Sequence, residues 1–283
     1  MSTQVPTLLR GLVDDAAVFP PGSAPLPEAV AAHRRHRTAW YRDLIGPLLL
    51  PASALRAVPH LLGAQERLAI AVIADAGVAL EPTLDALDDR LEVRQVEVAV
   101  AKRGEDPQPG LRTLLDLLTA RPHLRGYAEI PLAWGLMSAL DEVERARRDG
   151  IAIAAKFRTG GLAAELFPSP DELAAVICAC RDRELPFKLT AGLHHAVRYT
   201  DRHTGFTHHG FLNILVAAGQ AADGAPVAEV ARTLSTTEPA PLAEAARTRL
   251  DQPRPLWLGY GTCSISEPLD DLAGLGLLQE DAS

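Results

Sequence analysis

Residues 151–161 read IAIAAKFRTGG and residues 186–195 read PFKLTAGLHH, with a helix-forming segment between them. In the first piece Ile151, Ile153, Ala155 and Phe157 alternate with Ala152, Ala154, Lys156 and Arg158, so a period-2 strand sets the apolar residues on one face and Lys156 on the other. From Pro170 to Glu184 the apolar residues Leu173, Val176, Ile177 and Cys180 recur at helical spacing behind a Ser169/Asp171 start signal. Phe187 begins a second strand, with Lys188, Thr190 and Gly192 on a shared face. The reading is a βαβ unit whose strands each carry a lysine near the carboxyl end, where parallel α/β folds place their chemistry. A lysine at a strand end is ordinarily solvated. Lys156, however, shares its face with Ala152 and Ala154, which points to the interior of a closed barrel, where an unpaired charge is costly.

Working outward, the 283 residues with 47% hydrophobic content match the size of one (β/α)8 barrel, which runs to about 250 residues. Leu8–Val18 (LLRGLVDDAAV) is read as a first strand carrying an inward carboxylate at Asp14, or equally as a surface turn holding Asp14 and Asp15. IGPLLLP (45–51) and LAIAVIA (68–74) are short apolar runs bounded by breakers, each followed by a segment able to form a helix. Val96–Val100 alternates so that Glu97 and Ala99 oppose three valines; if the valines meet outer helices, Glu97 looks into the barrel. GYAEIP (126–131) repeats the pattern with Glu129. After the two lysine strands, residues 196–253 offer three helices (GFLNILVAAGQAA, APVAEVARTL, PLAEAARTRL) and no clear strand, and LWLGYGTCS (256–264) restores one. The expected architecture is therefore a single TIM-type barrel domain over 1–283 with a helical insertion at 196–253, after strand seven, lidding the C-terminal face.

The net charge of −8 argues against nucleic-acid or anionic-membrane partners, and no run of about 18 apolar residues occurs. The N-terminal MSTQVPTLLRGLVDD lacks a basic stretch followed by an apolar one, so a cytoplasmic location is expected. Three cysteines make no disulfide framework; Cys178 and Cys180 point in different directions on a helix. A homo-oligomer is compatible with all of this.

The motifs together resemble the deoxyribose-phosphate aldolase group of class I aldolases. LVDDAAVFP is similar to that family's first-strand signature, VEV and AEI to its acidic fourth and fifth strands, and AAKFRTGG to the segment bearing the Schiff-base lysine. FKLTAG resembles its seventh-strand lysine segment, 32 residues on from Lys156, and GYGTCS its eighth-strand Gly-Thr-Ser turn. The resemblance implies Lys156 as nucleophile and Lys188 as its charged neighbour, with Glu97, Asp14 or Glu129 moving protons, no cofactor, and a small carbonyl substrate. Substrate-binding roles are expected at Arg158, Thr190, Thr262 and Ser264, although Phe157 and Arg158 are bulkier than the small residues that usually follow the family's reactive lysine. The chain departs from the family after FKLTAG, where Leu193, His194 and His195 replace a phosphate-holding Gly-Ile-Arg turn.

The chemistry makes physical sense of two lysines. A free ammonium titrates near 10.4 and must come down by roughly 3 units, about 4 kcal/mol, to act as a nucleophile. A second ammonium about 5 Å away supplies roughly 3 kcal/mol at an effective dielectric of about 20. A second reading rests on His194, His195, His203, His208 and His209, which with Glu129 could hold a metal for a hydrolase, lyase or isomerase, or with Arg198 bind a substrate carboxylate. A third is a non-catalytic binding barrel.

Overall fold

In a computed structural model, which describes residues 5–279, the period-2 segments become the staves of a closed, all-parallel barrel. In chain order the elements are β1 (Val13–Asp15), α1 (Leu26–Thr38), β2 (Ile45–Pro51), β3 (Leu68–Ile73), α2 (Leu80–Asp85), β4 (Leu91–Ala99), α3 (Gln108–Ala120), β5 (Arg125–Glu129), α4 (Leu136–Arg148), β6 (Ile153–Arg158), α5 (Pro170–Asp182), β7 (Phe187–Thr190), β8 (Tyr199–Thr200), β9 (Thr207–His208), α6 (Phe211–Ala222), α7 (Val227–Ser235), α8 (Pro239–Arg247), β10 (Trp257–Thr262) and α9 (Ser266–Gly274). The barrel order is β1-β10-β7-β6-β5-β4-β3-β2, so the first and last staves meet. β8 and β9 form a separate antiparallel hairpin. No helix among the described residues is long and apolar enough to cross a membrane.

The alternation in β6 works as the sequence implies. Ile153, Ala155 and Phe157 are fully buried against the surrounding helices, while Ala154 and Lys156 face the barrel axis, also buried. α5 follows because Ser169 caps it: its hydroxyl accepts from the Glu172 amide at 3.2 Å and the Glu172 carboxylate accepts from the Ser169 amide at 2.8 Å. Its Leu173 and Ile177 are fully buried, each stabilising the fold by about 1.5–3 kcal/mol.

The interior is divided. Ala16, Leu49 and Ala71, with Phe19 and Ile73, make a small apolar cluster apart from the main core, whereas the side of β4 to β7 is charged. At the seam, the guanidinium of Arg254 donates to the carbonyls of Leu8, Arg10 and Gly11 and also to those of Trp257 and Leu258. One side chain thus ties the approach to β1 to the start of β10.

Three expectations need correction. The segment after β2 forms only 3-10 turns, at Ala52–Ala54 and Val58–Leu61, where Pro51 and Pro59 interrupt the helical ladder. β7 ends at Thr190; Ala191 and Gly192 take positive φ (63° and 77°) and leave the strand instead of extending its inner face. The helices of 196–253 are not a lid. α6 occupies the place of the seventh barrel helix, packed beside α5 with Phe211 stacked on Tyr260 of β10, and α7 and α8 add an outer layer against α5 and α6. At the C-terminal face β7 instead runs into the loop that carries the β8–β9 hairpin.

Candidate active site

The register of four neighbouring staves builds the site. Lys156 on β6 lies beside Glu129 of β5 on one side and Lys188 of β7 on the other. Glu97 of β4 lies beside Tyr127, two residues before Glu129, so its carboxylate projects from one level below. Asp14 enters from β1, across the barrel. Its carboxylate fits because β2 carries Gly46 opposite: a Cβ there would sit 1.8 Å from Asp14 Oδ1.

These groups form a continuous chain of charge. Lys156 Nζ lies 2.8 Å from Glu97 Oε2 and 2.8 Å from Glu129 Oε2. Lys188 Nζ pairs with the other oxygen of Glu97, Oε1, and with Asp14 Oδ2, and its charge stands 4.8 Å from the centre of the Tyr127 ring. Gln95 Nε2 donates to Asp14 Oδ2 at 3.3 Å and to Glu97 Oε1 at 3.2 Å. At the outer end Arg158 reaches Glu129 Oε1 with Nε at 3.1 Å and Nη2 at 3.0 Å. Lys156, Lys188 and Glu97 are buried at 3%, 2% and 1% exposure, so these pairs are little screened by solvent.

Burial and pairing pull the titrations in opposite directions. Burial works against the charge on Lys156, yet the Glu97 and Glu129 carboxylates outweigh it and hold the ammonium above its ordinary value. Lys188 is likewise raised, by Asp14 and Glu97 against burial. Burial would raise Glu97, but the two ammonium groups bring it down to about 2. Glu129 is lowered, Lys156 and Arg158 together outweighing burial. Asp14 is the exception: burial dominates and raises it despite Lys188. The expectation that Lys188 depresses Lys156 is therefore corrected. Glu97 sits between the two lysines, and its charge outweighs the repulsion they exert on each other.

Above the network, over the C-terminal ends of β4 to β6, opens a cavity of about 270 Å³ lined by residues 101–103, 129–132, 158, 165, 166, 168 and 172. Ala99, two residues beyond Glu97 on the same face, is exposed. Glu129 and Arg158 line the cavity; Lys156 does not.

No protein-family model, curated protein or solved structure matches this chain. The site is accordingly read from its own geometry.

Asp14, Glu97, Glu129, Lys156 and Lys188 are brought together, with Arg158 at their edge. The remaining expected residues are not. Thr190 ends β7, its carbonyl accepting from the Thr159 amide at 2.9 Å. Thr262 is buried at the end of β10, and the Ser264 hydroxyl accepts from the Glu267 amide at 3.4 Å at the start of α9; neither touches the network. Three of the histidines gather around Tyr199 instead, the His195 ring edge-on to it and the His194 ring 6.5 Å from that of His208, and none of them pairs with the lysine–carboxylate network. His194 pairs with Glu267 at 2.8 Å and His195 with Asp271 at 3.4 Å, while His208 faces the Gly192 carbonyl and stacks on Tyr199. His209, 1% exposed, donates from Nε2 to the Pro168 carbonyl at 2.8 Å, and Arg198 Nη1 donates to its Nδ1 at 3.3 Å. Burial lowers His209 to about 4, so it is neutral at neutral pH. Among the described residues no three His, Cys, Asp or Glu side chains are placed to hold a metal ion.

Sequence reading passed over Gln95, Tyr127 and Gly46. Gln95 and Tyr127 each sit two residues before an inward glutamate, on the same face by strand parity, so the signal was present. Gly46 had none, because its value lies in a carboxylate delivered from another stave.

Proposed function

We propose that the protein is a Schiff-base-forming carbon–carbon lyase acting on a small oxygenated carbonyl compound, with Lys156 as the nucleophile. The observation that carries this reading is Lys156 itself: a buried lysine on an inner barrel face, held at 2.8 Å by each of two carboxylates beneath a cavity at the C-terminal face. A resting ammonium is no nucleophile, so the chemistry starts with a proton passing from Lys156 Nζ to Glu129 Oε2. Both groups rest charged, Lys156 raised and Glu129 lowered, so the transfer runs uphill and is drawn forward as the amine is consumed by the carbonyl.

The free amine attacks the carbonyl carbon. Glu129 returns the proton to the departing hydroxyl and water leaves. The iminium then accepts the electron pair of the cleaved carbon–carbon bond while the other fragment's hydroxyl gives its proton to Glu129 and becomes a carbonyl. Protonation and hydrolysis of the remaining enamine by water free Lys156. Glu97 is the fixed negative charge of the site. Flanked by Lys188, it stays ionised and faces the positive charge that develops on Lys156 Nζ. Lys188 acts through Glu97 and is a positioning residue.

The complete pairing of these charges also fits a non-catalytic binding barrel, and one experiment separates the two. The protein, Lys156→Ala and Lys188→Ala are incubated with a panel of small aldehydes and ketones plus borohydride, and intact mass is measured. The expected result is a reduced adduct on the wild type and on Lys188→Ala, absent from Lys156→Ala. No adduct from any member of the panel, or an adduct that survives Lys156→Ala, would overturn the assignment.

A further inference from the structure

We infer that the substrate is a small 2-oxo acid, and that its carboxylate is received by Arg158, which thereby lets go of Glu129 and uncovers Lys156. The inference rests on the Schiff-base reading and begins from an obstruction. Lys156 is 3% exposed and does not line the cavity, whereas Glu129, which holds its ammonium at 2.8 Å, and Arg158, paired with Glu129, both do. No carbonyl reaches Nζ from above while that pair stands. Of its two members Arg158 is the more open, with 43% of its side chain exposed against 15% for Glu129. A guanidinium has five N–H donors, and only Nε and Nη2 are engaged with Glu129.

Charge explains why a carboxylate is the fitting key. The barrel interior holds three carboxylates, Asp14, Glu97 and Glu129, against two ammonium groups, and Arg158 supplies the balancing cation. A ligand carboxylate on Arg158 replaces Glu129 by a group of the same charge and the same planar geometry. Lys102 and Arg103 add positive charge to the cavity wall. Of the wall's other carboxylates, Glu172 is already engaged by the Ser169 amide, which leaves Glu165.

Distance narrows the class further. Glu129 touches Arg158 with one carboxylate oxygen, at 3.0 Å, and Lys156 with the other, at 2.8 Å. The two cationic groups are therefore one carboxylate's width apart, and a molecule spanning them needs its carboxylate next to its carbonyl. The exchange also prepares the chemistry. Without Arg158, Glu129 loses one of the charges that hold it ionised and becomes a better acceptor for the Lys156 proton.

The test pairs each acid with its uncharged counterpart. Borohydride trapping is followed by intact mass with pyruvate against acetone, and with dihydroxyacetone phosphate against dihydroxyacetone, on wild type, Arg158→Gln and Arg158→Lys. Oxalate, which forms no Schiff base, is titrated calorimetrically into wild type, Lys156→Met and Arg158→Gln. Pyruvate is expected to trap at lower concentration than acetone. Arg158→Gln should slow pyruvate trapping by about ten- to a hundredfold, the worth of a lost charged fork, while acetone trapping holds or rises. Arg158→Lys should fall between, and oxalate should bind Lys156→Met but not Arg158→Gln. Equal trapping of pyruvate and acetone, both indifferent to Arg158→Gln, would overturn the inference and leave the Schiff base standing. Preference for dihydroxyacetone phosphate over pyruvate would overturn the carboxylate assignment. Arg158-dependent oxalate binding with no trapping of any compound would keep the carboxylate receptor and refute the Schiff-base reading.

Discussion

Glu97 holds two ammonium groups with one carboxylate, Oε2 on Lys156 and Oε1 on Lys188. Glu97→Gln leaves the two cations facing each other without the charge between them. The expected result is a loss of about 3–5 kcal/mol of stability in urea unfolding at neutral pH, because buried charges are left uncompensated. The pH profile of borohydride trapping should also shift to lower pH, since Lys188 then does depress Lys156. At this scale parity pointed Lys156 inward, and Glu97 and Glu129 with it on the condition that their apolar neighbours meet the outer helices. Which acid meets which lysine was not legible, because pairing depends on the stagger between staves, and one-dimensional spacing carries no stagger. The histidines teach the converse. His194, His195 and His208 do gather, but around Tyr199, with His194 and His195 pairing with Glu267 and Asp271 one turn apart on α9, and none of them meets the lysines.

Between elements, the ends of the two lysine staves are held by contact of backbone with backbone. A Cβ on Gly160 would lie 2.8 Å from the Gly192 Cα and 3.0 Å from its nitrogen, so only glycine lets the loops leaving β6 and β7 touch. Gly160→Ala is expected to push those ends apart, costing about 1–3 kcal/mol by urea unfolding and slowing trapping at Lys156 by more than the loss of folded protein accounts for. The strands of the βαβ unit and the start of α5 were readable because alternation and the Ser169/Asp171 signal are local, whereas the part Glu172 plays in the cap was passed over. The role of α6 was not. Phe211, Leu212, Ile214 and Leu215 are all buried, since the helix is covered by the barrel on one side and by α7 and α8 on the other, and an apolar helix carries no stripe to say which side is which. The two-residue strands β8 and β9 are too short for any period to register.

For the molecule as a whole, the buried network makes stability depend on pH. Glu97 titrates at about 2 when folded against an ordinary value of 4.5, so its contribution, on the order of 3 kcal/mol, is present above about 4.5 and lost as pH falls toward 2. Asp14 has the opposite sign. Its raised value favours the protonated folded form, so it opposes folding at neutral pH and returns part of the loss in acid. Lys156 and Lys188, both raised, add stability that persists through neutral pH and fades only in strong alkali. Urea midpoints at pH 7, 4.5 and 2.5 should fall more steeply over the last interval in the wild type than in Glu97→Gln. The barrel class itself was legible from eight period-2 or apolar segments, though β1 was the weakest of them: three residues carrying two aspartates, of which Asp14 turns inward and Asp15 outward to a buried His33 at 3.0 Å. That short stave has a further consequence in time. β1 pairs with β10, and Arg254 clasps the two ends only once both exist. About 240 residues separate them, so at a synthesis rate of roughly 5–20 residues per second the first stave waits roughly 12–50 s on the ribosome for its partner. Through that interval the growing sheet keeps two open edges, and the nascent chain must be shielded from its neighbours until the last stave arrives to close them.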